Sequence, residues 1–560
     1  MRLPVPTVAV SIFQDKVHEV IGRFLTSEFG AVLKRYSADI LACFTLVVIT
    51  WVYSVKVVDF SIPPFEDAAI LMRYADHFAD GKGMVWNTGE APVDGATDFL
   101  FMLSVGVLHS TGLSLELTVR LLTILSHYLT ILLIFVGMRY YFKAGIPASF
   151  GSALYFAVGP GLFFSAAFFG TPVFVFAIAA TWFASYRITI GKNHYSDYIL
   201  FSTSALITGL VRPEGVIVGS LLLVSVLPTL NLKNARSLFA VFMITFSIFG
   251  GLYFFWRWWY FGYPLPNPFY KKGGGRLYFV SLDKAFLYFR ITFLPILPAL
   301  LLSLRNIRYV KRMFRLLIPP IGATAMWVFL SDEMNFGNRF QYPVLLFAVL
   351  IWYPLVDDIT LPPLFRMKNL KQFVQITAYI LCFAFFEVPL FQKHVNRSRQ
   401  ITYHHDGRYV VAKKLELYAR YGYTMAVTEA GLLPLYSTWR AIDTWGLNDK
   451  WIAHNGGVSS EYLDRQKPDL VMWHGAVFPD TSDTVPKTLW DRQTAELFKY
   501  VNKNEFYPAA VFGTSPRNAH LYYVKKTLPH YSSIVNDIGN SVYVWWQNGA
   551  VCRNNADGIR

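Results

Sequence analysis

Glu66 and Asp67 are the side chains of this sequence best suited to acid–base chemistry, because two adjacent carboxylates precede an apolar pattern of helical spacing. A carboxylate in such a position can take a proton from a hydroxyl, and a neighbouring pair can also position a cation. The same two acids would complement the dipole of a helix that begins here. The residue types leave both roles open, and they do not distinguish which acid would be the base.

The segment that carries the acids predicts a short amphipathic helix lying on the membrane surface. Pro64 precedes it, Gly81 suits its end, and apolar residues recur at helical spacing between them. The first turn would then lie at the water–lipid boundary, close to a lipid phosphate. His77 on this helix is a candidate second base, although a histidine at such a position is more often structural.

Cationic side chains that could hold a phosphate occur in three later segments. Lys271, Lys272 and Arg276 flank a run of three glycines, whose backbone N–H groups suit an anion nest. Arg339 and Arg212 lie within or at the edge of apolar runs, where an arginine is costly and usually functional. For the lysines the alternative is ordinary snorkelling at a helix end, and for Arg212 it is an ion pair with the glutamate two positions later.

The composition places these groups in a membrane protein. Of 560 residues, 54% are apolar and only 16% are charged, against about 25% charged in an ordinary soluble domain. A cytosolic enzyme and a disordered chain are thereby excluded. Much of the net charge of +15 lies in short segments between apolar runs, which is typical of cytoplasmic loops and not of a nucleic-acid-binding face.

Motifs of the common soluble enzyme classes are missing from the sequence, which contains no GxxxxGK[ST], HExxH, CxxC or GxSxG. The three cysteines support neither a disulfide framework nor a thiolate metal site. The histidines lack ligand spacing and are interpreted as surface residues. The sequence therefore predicts no metal site, and a divalent cation beside the acids has no further support.

About eleven membrane spans of roughly 20 apolar residues are predicted between residues 38 and 392. Basic clusters at 305–312 and 366–371 should be cytoplasmic, and the same rule puts residues 1–37 in the cytoplasm. The loop 59–97, which carries the acidic pair, is then external.

Residues 393–560 follow the last predicted span and are also expected to be external. Short strand-like runs alternate there with polar, proline and glycine breaks, which predicts one α/β domain. Tyr436, Asp443 and Asp449 of this domain are either structural or face a cleft.

The order of several motifs resembles a known family, the membrane-embedded GT-C glycosyltransferases that use lipid phosphosugars. The resemblance is strongest to the bacterial arabinofuranosyltransferases that cap mycobacterial arabinan. Two departures are a Glu-Asp pair where relatives carry Asp-Asp, and residues 331–336 where they commonly show a Gly-Gly-Asp stretch. The matching segments are 66–67, 73–75, 81–90, 95–100, 212–215, 257–272, 337–340, 429–437 and 442–449.

The resemblance implies a polytopic α-helical membrane protein of the GT-C fold with a C-terminal soluble α/β domain that holds the acceptor. It implies transfer of a sugar, in that family arabinofuranose, from a polyprenyl-phosphate donor to a hydroxyl of a cell-envelope glycan or glycolipid. The reaction would take place at the periplasmic face of a bacterial inner membrane, with no nucleic-acid partner.

The predicted site follows from the matching positions and from the residue types. Asp67 and Glu66 would act as base and acceptor positioner. Donor phosphate would be bound by Lys271, Lys272, Arg276, Arg339 and Arg212. Sugar or acceptor would be bound by Arg73, Trp86, Asn87, Asp94, Asn267 and Tyr270.

Two other functions agree with the same architecture. One is a protein O-glycosyltransferase, and the other is a lipid or glycan transporter without catalysis. A transporter should have paired broken helices at the bilayer midplane, whereas only Arg212-Pro213 gives such a break in this sequence.

Overall fold

The computed structural model describes residues 28–57, 59–191, 194–272, 274–294, 297, 307–356, 407–482, 488–515, 517–541, 544–547 and 550–553. Several predictions fall outside these residues. They concern residues 1–27 of the predicted cytoplasmic segment 1–37, the basic cluster 366–371, the predicted span 373–391, the middle glycine Gly273 of the predicted nest, and His404 and His405.

An N-terminal helical domain is followed by a domain that contains a sheet. The α-helices described in the first domain are α1 (Glu28–Val57), α2 (Glu66–Ala79), α3 (Phe99–His109), α4 (Leu115–Val136), α5 (Ile146–Ala157), α6 (Gly161–Ala166), α7 (Thr171–Ile190), α8 (Tyr195–Val211), α9 (Glu214–Val226), α10 (Leu232–Thr245), α11 (Gly251–Phe261), α12 (Asn267–Lys271), α13 (Phe279–Phe293), α14 (Ile307–Ala325) and α15 (Tyr342–Val356).

Within the described residues, five helical stretches are long and apolar enough to cross a membrane, and the helices at 99–109 and 214–229 are apolar but shorter. The outer faces of these stretches expose large apolar side chains such as Phe44, Leu125 and Phe255, as expected where lipid replaces water as the solvent. The five stretches are Tyr36–Lys56, Leu115–Tyr141, Ile146–Ala166, Thr171–Ile190 and Leu232–Phe261.

The apolar run at 198–228 forms two helices because its polar interruption breaks the backbone pattern. Arg212 adopts an extended conformation, with φ −147° and ψ 140°, as is usual for a residue that precedes proline. Pro213 then stands directly before α9, where its missing N–H costs nothing. The break brings the Arg212 side chain into the interior of the helical domain.

The second domain is α/β, as predicted. Its sheet has the order β2-β1-β3-β5-β4, in which β1 pairs in parallel with β2 and β3, while β5 runs antiparallel to β3 and β4. Strand β1 is buried along its whole length, as is typical of a strand that lies between two parallel neighbours. Its strands are β1 (Thr424–Val427), β2 (Arg440–Asp443), β3 (Leu470–Gly475), β4 (Phe506–Ser515) and β5 (Asn518–Lys525), with a separate hairpin of β6 (Val544–Gln547) and β7 (Ala550–Arg553).

Short helices connect these strands. They are α16 (Gly407–Leu415), α17 (Leu432–Ser437), α18 (Lys450–His454), α19 (Ser460–Gln466), α20 (Leu489–Lys503) and α21 (Tyr531–Gly539). Asp449 caps α18 by accepting from Ile452, and Asp443 accepts from the backbone of the turn that follows β2. Tyr436 donates to Glu116 of the helical domain. These contacts favour the structural role among the two predicted for Tyr436, Asp443 and Asp449.

Helix α2 forms where predicted, but protein covers most of it, and its position at the membrane surface stays a prediction. Nine of its residues are buried, because the second domain covers the side that would otherwise face water. Arg73 shows how the two domains meet. Its guanidinium donates to the backbone oxygens of Trp86 and Trp439, both at 2.9 Å, to that of Pro434, and to the Asn87 side chain.

Arg73→Gln is expected to destabilise this junction by about 3 kcal/mol or more, because it leaves several buried carbonyl oxygens without donors. Tryptophan fluorescence during thermal unfolding in detergent measures the effect. Arg440→Gln is the matched control, since the Arg440–Glu90 ion pair at the same junction is partly exposed and should contribute about 0–1 kcal/mol. Equal losses in the two variants would contradict the assignment.

Candidate active site

The two predicted catalytic acids point in different directions from the first turn of α2. Phe65, the residue before the helix, makes no side-chain cap. Both acids lie in the first turn, where their charge complements the helix dipole; this is one of the two roles that the sequence left open. Phe65 itself packs between Phe163, Phe169 and Phe336. This packing fixes where each carboxylate can reach.

Asp67 faces a cavity of about 130 Å³ between the helical domain and the second domain. Its Oδ2 accepts from Arg339 at 2.5 Å. The side chain of Asp67 is 23% exposed, and within the described part of the chain no donor is bound to its other oxygen. Asp67 therefore has one carboxylate oxygen available to a molecule in the cavity.

Three cations line the same cavity, namely Arg212, Lys272 and Arg339. The only carboxylates among its lining residues are Asp67 and Asp98. The cavity thus concentrates cationic hydrogen-bond donors in a partly desolvated site, and such donors bind a phosphate group well.

Arg212 and Arg339 are held by protein partners. Arg212 donates to Asp98 at 3.0 Å and to Glu214 at 3.1 Å. The predicted ion pair with Glu214 is therefore present, and Arg212 also lines the cavity. The Arg339 guanidinium lies 3.9 Å from the ring centre of Phe169. Its Nε is buried without a hydrogen-bond acceptor, so this arginine has an unused donor close to the cavity.

Lys272 differs from the two arginines. No carboxylate of the described residues lies within ion-pair distance of its ammonium group. Burial lowers the pKa of Lys272, and the nearby charges of Asp67 and Glu333 oppose that effect. An anion that entered the cavity would supply the missing partner.

Glu66 belongs to the domain junction, not to the cavity lining. Its carboxylate accepts from the backbone N–H groups of Gly431 and of Leu432, the latter at 3.2 Å, and pairs with Arg408 at 3.1 Å. These contacts attach the start of α2 to the second domain. The two acids therefore lie in different surroundings. Asp67 lines the cavity, whereas Glu66 holds the two domains together.

Several residues predicted to bind sugar lie at this junction, with protein groups as partners. The Trp86 indole donates to the backbone oxygen of Ala441 at 2.8 Å, and Asn87 bonds the N–H and the carbonyl of the same residue. Asn267 donates to the carbonyls of Gly446 and Leu447. The structure does not bring Arg73, Trp86, Asn87 or Asn267 to the cavity, and their sugar contacts stay a prediction.

The other predicted binding residues are dispersed. Asp94 pairs with Arg257, and burial raises the pKa of its carboxyl to about 6 despite that cation. The Lys271 ammonium lies 4.3 Å from the ring centre of Trp445, and burial lowers its pKa. Tyr270 packs against His454, and Arg276 is exposed. Of the five predicted phosphate ligands, the cavity brings together Lys272, Arg339 and Arg212.

The sequence interpretation missed three contributors to the site. Asp98 holds Arg212, Phe169 stacks on Arg339, and Leu447 extends the second domain into the cavity lining. A signal existed for Asp98, which ends the glycine-rich loop directly before an apolar helix. His77 is buried and contacts the backbone oxygen of Val85, so its interpretation as structural agrees with its position.

The fold and this cavity can now be compared with known proteins. A family model described as Domain of unknown function (DUF8728) matches residues 398–542. No curated protein sequence matches the chain.

The solved structures of one protein, ArnT, share the fold over most of the chain. ArnT from Cupriavidus metallidurans in the apo state is 15% identical, with a TM-score of 0.54 over 87% of this chain and 98% of that one. The same protein bound to undecaprenyl phosphate gives a TM-score of 0.55 at the same identity and coverage. The mycobacterial arabinofuranosyltransferase AftD is 13% identical, with a TM-score of 0.44 over 86% of this chain and 41% of that one.

The similarity to ArnT shows the fold. The chain is a polytopic helical membrane protein of the GT-C fold with a C-terminal domain built on a small sheet, and the predicted fold class is confirmed.

Phosphate binding by Lys272 should weaken at a lower pH than binding by an exposed lysine would. Because its pKa is lowered, affinity for a soluble alkyl phosphate should fall as pH rises through a range below the ordinary lysine value of about 10.4. Lys272→Arg should extend tight binding to higher pH, since a guanidinium stays charged. Calorimetric titration across this range measures both, with the exposed Lys82→Arg as control. Identical pH profiles for wild type and Lys272→Arg would contradict the assignment.

Proposed function

We propose that this protein is a membrane glycosyltransferase that moves a sugar from a polyprenyl-phosphate donor to a hydroxyl of a cell-envelope glycan or glycolipid. The observation that carries the proposal is the cavity in which the Asp67 carboxylate lies beside Lys272, Arg339 and Arg212. ArnT, which has the same fold, has been solved with undecaprenyl phosphate bound, and this supports a lipid phosphate as part of the donor.

The reaction assigns one role to each charge. The acceptor hydroxyl attacks the anomeric carbon of the donor sugar, and its proton passes to Asp67. The bond between that carbon and the phosphate oxygen breaks, and the polyprenyl phosphate leaves with the negative charge. Lys272 and Arg339 stabilise this charge as it develops on the leaving oxygen.

Arg339 connects donor binding to the base. In the free protein it occupies one oxygen of Asp67, and a phosphate in the cavity competes with Asp67 for the same guanidinium. Its unsatisfied Nε offers a second donor to that phosphate. Donor binding would thus free the Asp67 carboxylate at the moment when a base is needed.

The acceptor would approach from the second domain. Leu447 of that domain lines the cavity together with Gly95, Ala96 and Thr97 of the loop before α3. An acceptor that passes between the domains would therefore meet Asp67 on one side and the donor on the other. The motif resemblance makes arabinofuranose the first sugar to assay, and it favours the periplasmic face of a bacterial inner membrane.

Asp67→Asn should lower the rate of sugar transfer by about 10²–10⁴-fold, because the amide cannot take the acceptor proton. The variant should retain binding of undecaprenyl phosphate, which depends on the cations. Transfer from a radiolabelled polyprenyl-phosphate arabinofuranose to an arabinan acceptor in detergent measures the rate.

Glu66→Gln tests, in the same assay, whether Glu66 acts in the domain junction and not in proton transfer. It should lower the thermal unfolding midpoint through the junction and retain part of the transfer activity. Asp80→Asn, an exposed acid just after the same helix, should behave like wild type. Full transfer by Asp67→Asn, or a complete loss in Asp80→Asn, would refute the assignment of Asp67 as base.

A further inference from the structure

Three potential metal ligands lie in a row across the sheet of the second domain, outside the cavity. His474 on β3 is directly opposite His520 on β5 in the antiparallel ladder. Glu429 follows β1 by two residues, and β1 runs parallel to β3 with Val427 paired to Met472. The strand register therefore places Glu429, His474 and His520 side by side.

The ligand atoms of this cluster converge. The Nδ1 of His474 lies 3.0 Å from one Glu429 oxygen, and the Nε2 of His520 lies 2.7 Å from the other. One ligand atom from each residue lies within 4.8 Å of the other two. The two imidazole rings stack with their centres 4.4 Å apart, so both present nitrogen atoms to the same carboxylate.

The contacts around the cluster resemble the outer shell of a metal site. The second ring nitrogen of His474 lies 2.6 Å from the Oδ1 atom of Asn518. A ligating histidine commonly donates its other N–H to such an oxygen, which leaves the first nitrogen unprotonated. A proton on Nδ1 of His474 can bridge it to the Glu429 oxygen 3.0 Å away, and a metal ion can take the place of that proton.

Arg408 connects the cluster to the helical domain. Arg408 contacts both Glu429 and Glu66, so the two carboxylates share one guanidinium. Arg408 can hold and orient one Glu429 oxygen while the other oxygen serves as ligand, as outer-shell partners do. The His474 side chain is 30% exposed, which gives an ion a route from solvent and a position for a water ligand.

We propose that Glu429, His474 and His520 bind a divalent transition-metal ion, with Zn²⁺ as the ion that two imidazoles and one carboxylate suit best. The ion would fasten β1, β3 and β5 together at the strand ends. Through Glu429 and Arg408 it would also fix the partner of Glu66, and with it the start of α2. The site is independent of sugar transfer and holds whether or not the proposed function is correct.

Metal content of the full-length protein tests the proposal. Protein purified in detergent, stripped with chelator and re-equilibrated with Zn²⁺ should contain about one ion per chain, whereas Mg²⁺ should not be retained. Addition of Zn²⁺ should raise the thermal unfolding midpoint. His474→Gln and His520→Gln should each lose the ion and the shift of the midpoint, while both remain monodisperse with wild-type circular dichroism.

His109→Gln is the matched control, because His109 also contacts a carboxylate, that of Asp76 at 3.3 Å, but lies in the helical domain. It should keep one Zn²⁺ per chain. Asn518→Ala removes no ligand and should weaken Zn²⁺ binding by about 10–100-fold, which provides a test even if a histidine variant fails to fold. Absence of Zn²⁺ binding by wild type, or unchanged binding in His520→Gln and Asn518→Ala, would show that the cluster is only a hydrogen-bonded triad.

Discussion

The first turn of α2 is the constraint on which the architecture and the cavity both depend. Successive residues of an α-helix point about 100° apart, so these two adjacent acids can reach different partners. Asp67 turns toward Arg339 in the cavity, and Glu66 turns toward Gly431 and Arg408 of the second domain. A single helical turn thus contacts the second domain through Glu66 and places the Asp67 carboxylate in the cavity.

The cost of buried charge explains why the cavity has this composition. An isolated arginine would be expensive in the helical domain, and Arg212 is accompanied there by Asp98 and Glu214. Ion pairs of this kind seldom stabilise a fold better than apolar side chains of similar volume, so their presence points to a ligand. The arginines are neutralised before the ligand arrives, and Lys272 adds the charge that remains unpaired within the described residues.

Local patterns in the sequence predicted local structure well. The helix after Pro64, the break at Arg212-Pro213 and a strand at 469–473 all follow from spacing, proline chemistry and apolar runs. What the patterns could not show is which surfaces meet. Trp86 and Asn87 have the composition of a polyol-binding loop, yet their partner is the backbone of Ala441, more than 350 positions away in the chain. The burial of α2 could not be predicted for the same reason, since the domain that covers it is distant in sequence.

His474 and His520 show the same limit in its clearest form. Spacing rules for metal ligands apply to loops and single helices, where ligands are close in sequence, and two histidines 46 positions apart do not satisfy them. An antiparallel register brings them together, and a parallel neighbour adds Glu429. Because Arg408 joins Glu429 to Glu66, and Leu447 lines the cavity beside Asp67, the second domain is a structural part of the site. Its sheet holds one end of the ion-pair network whose other end is the first turn of α2.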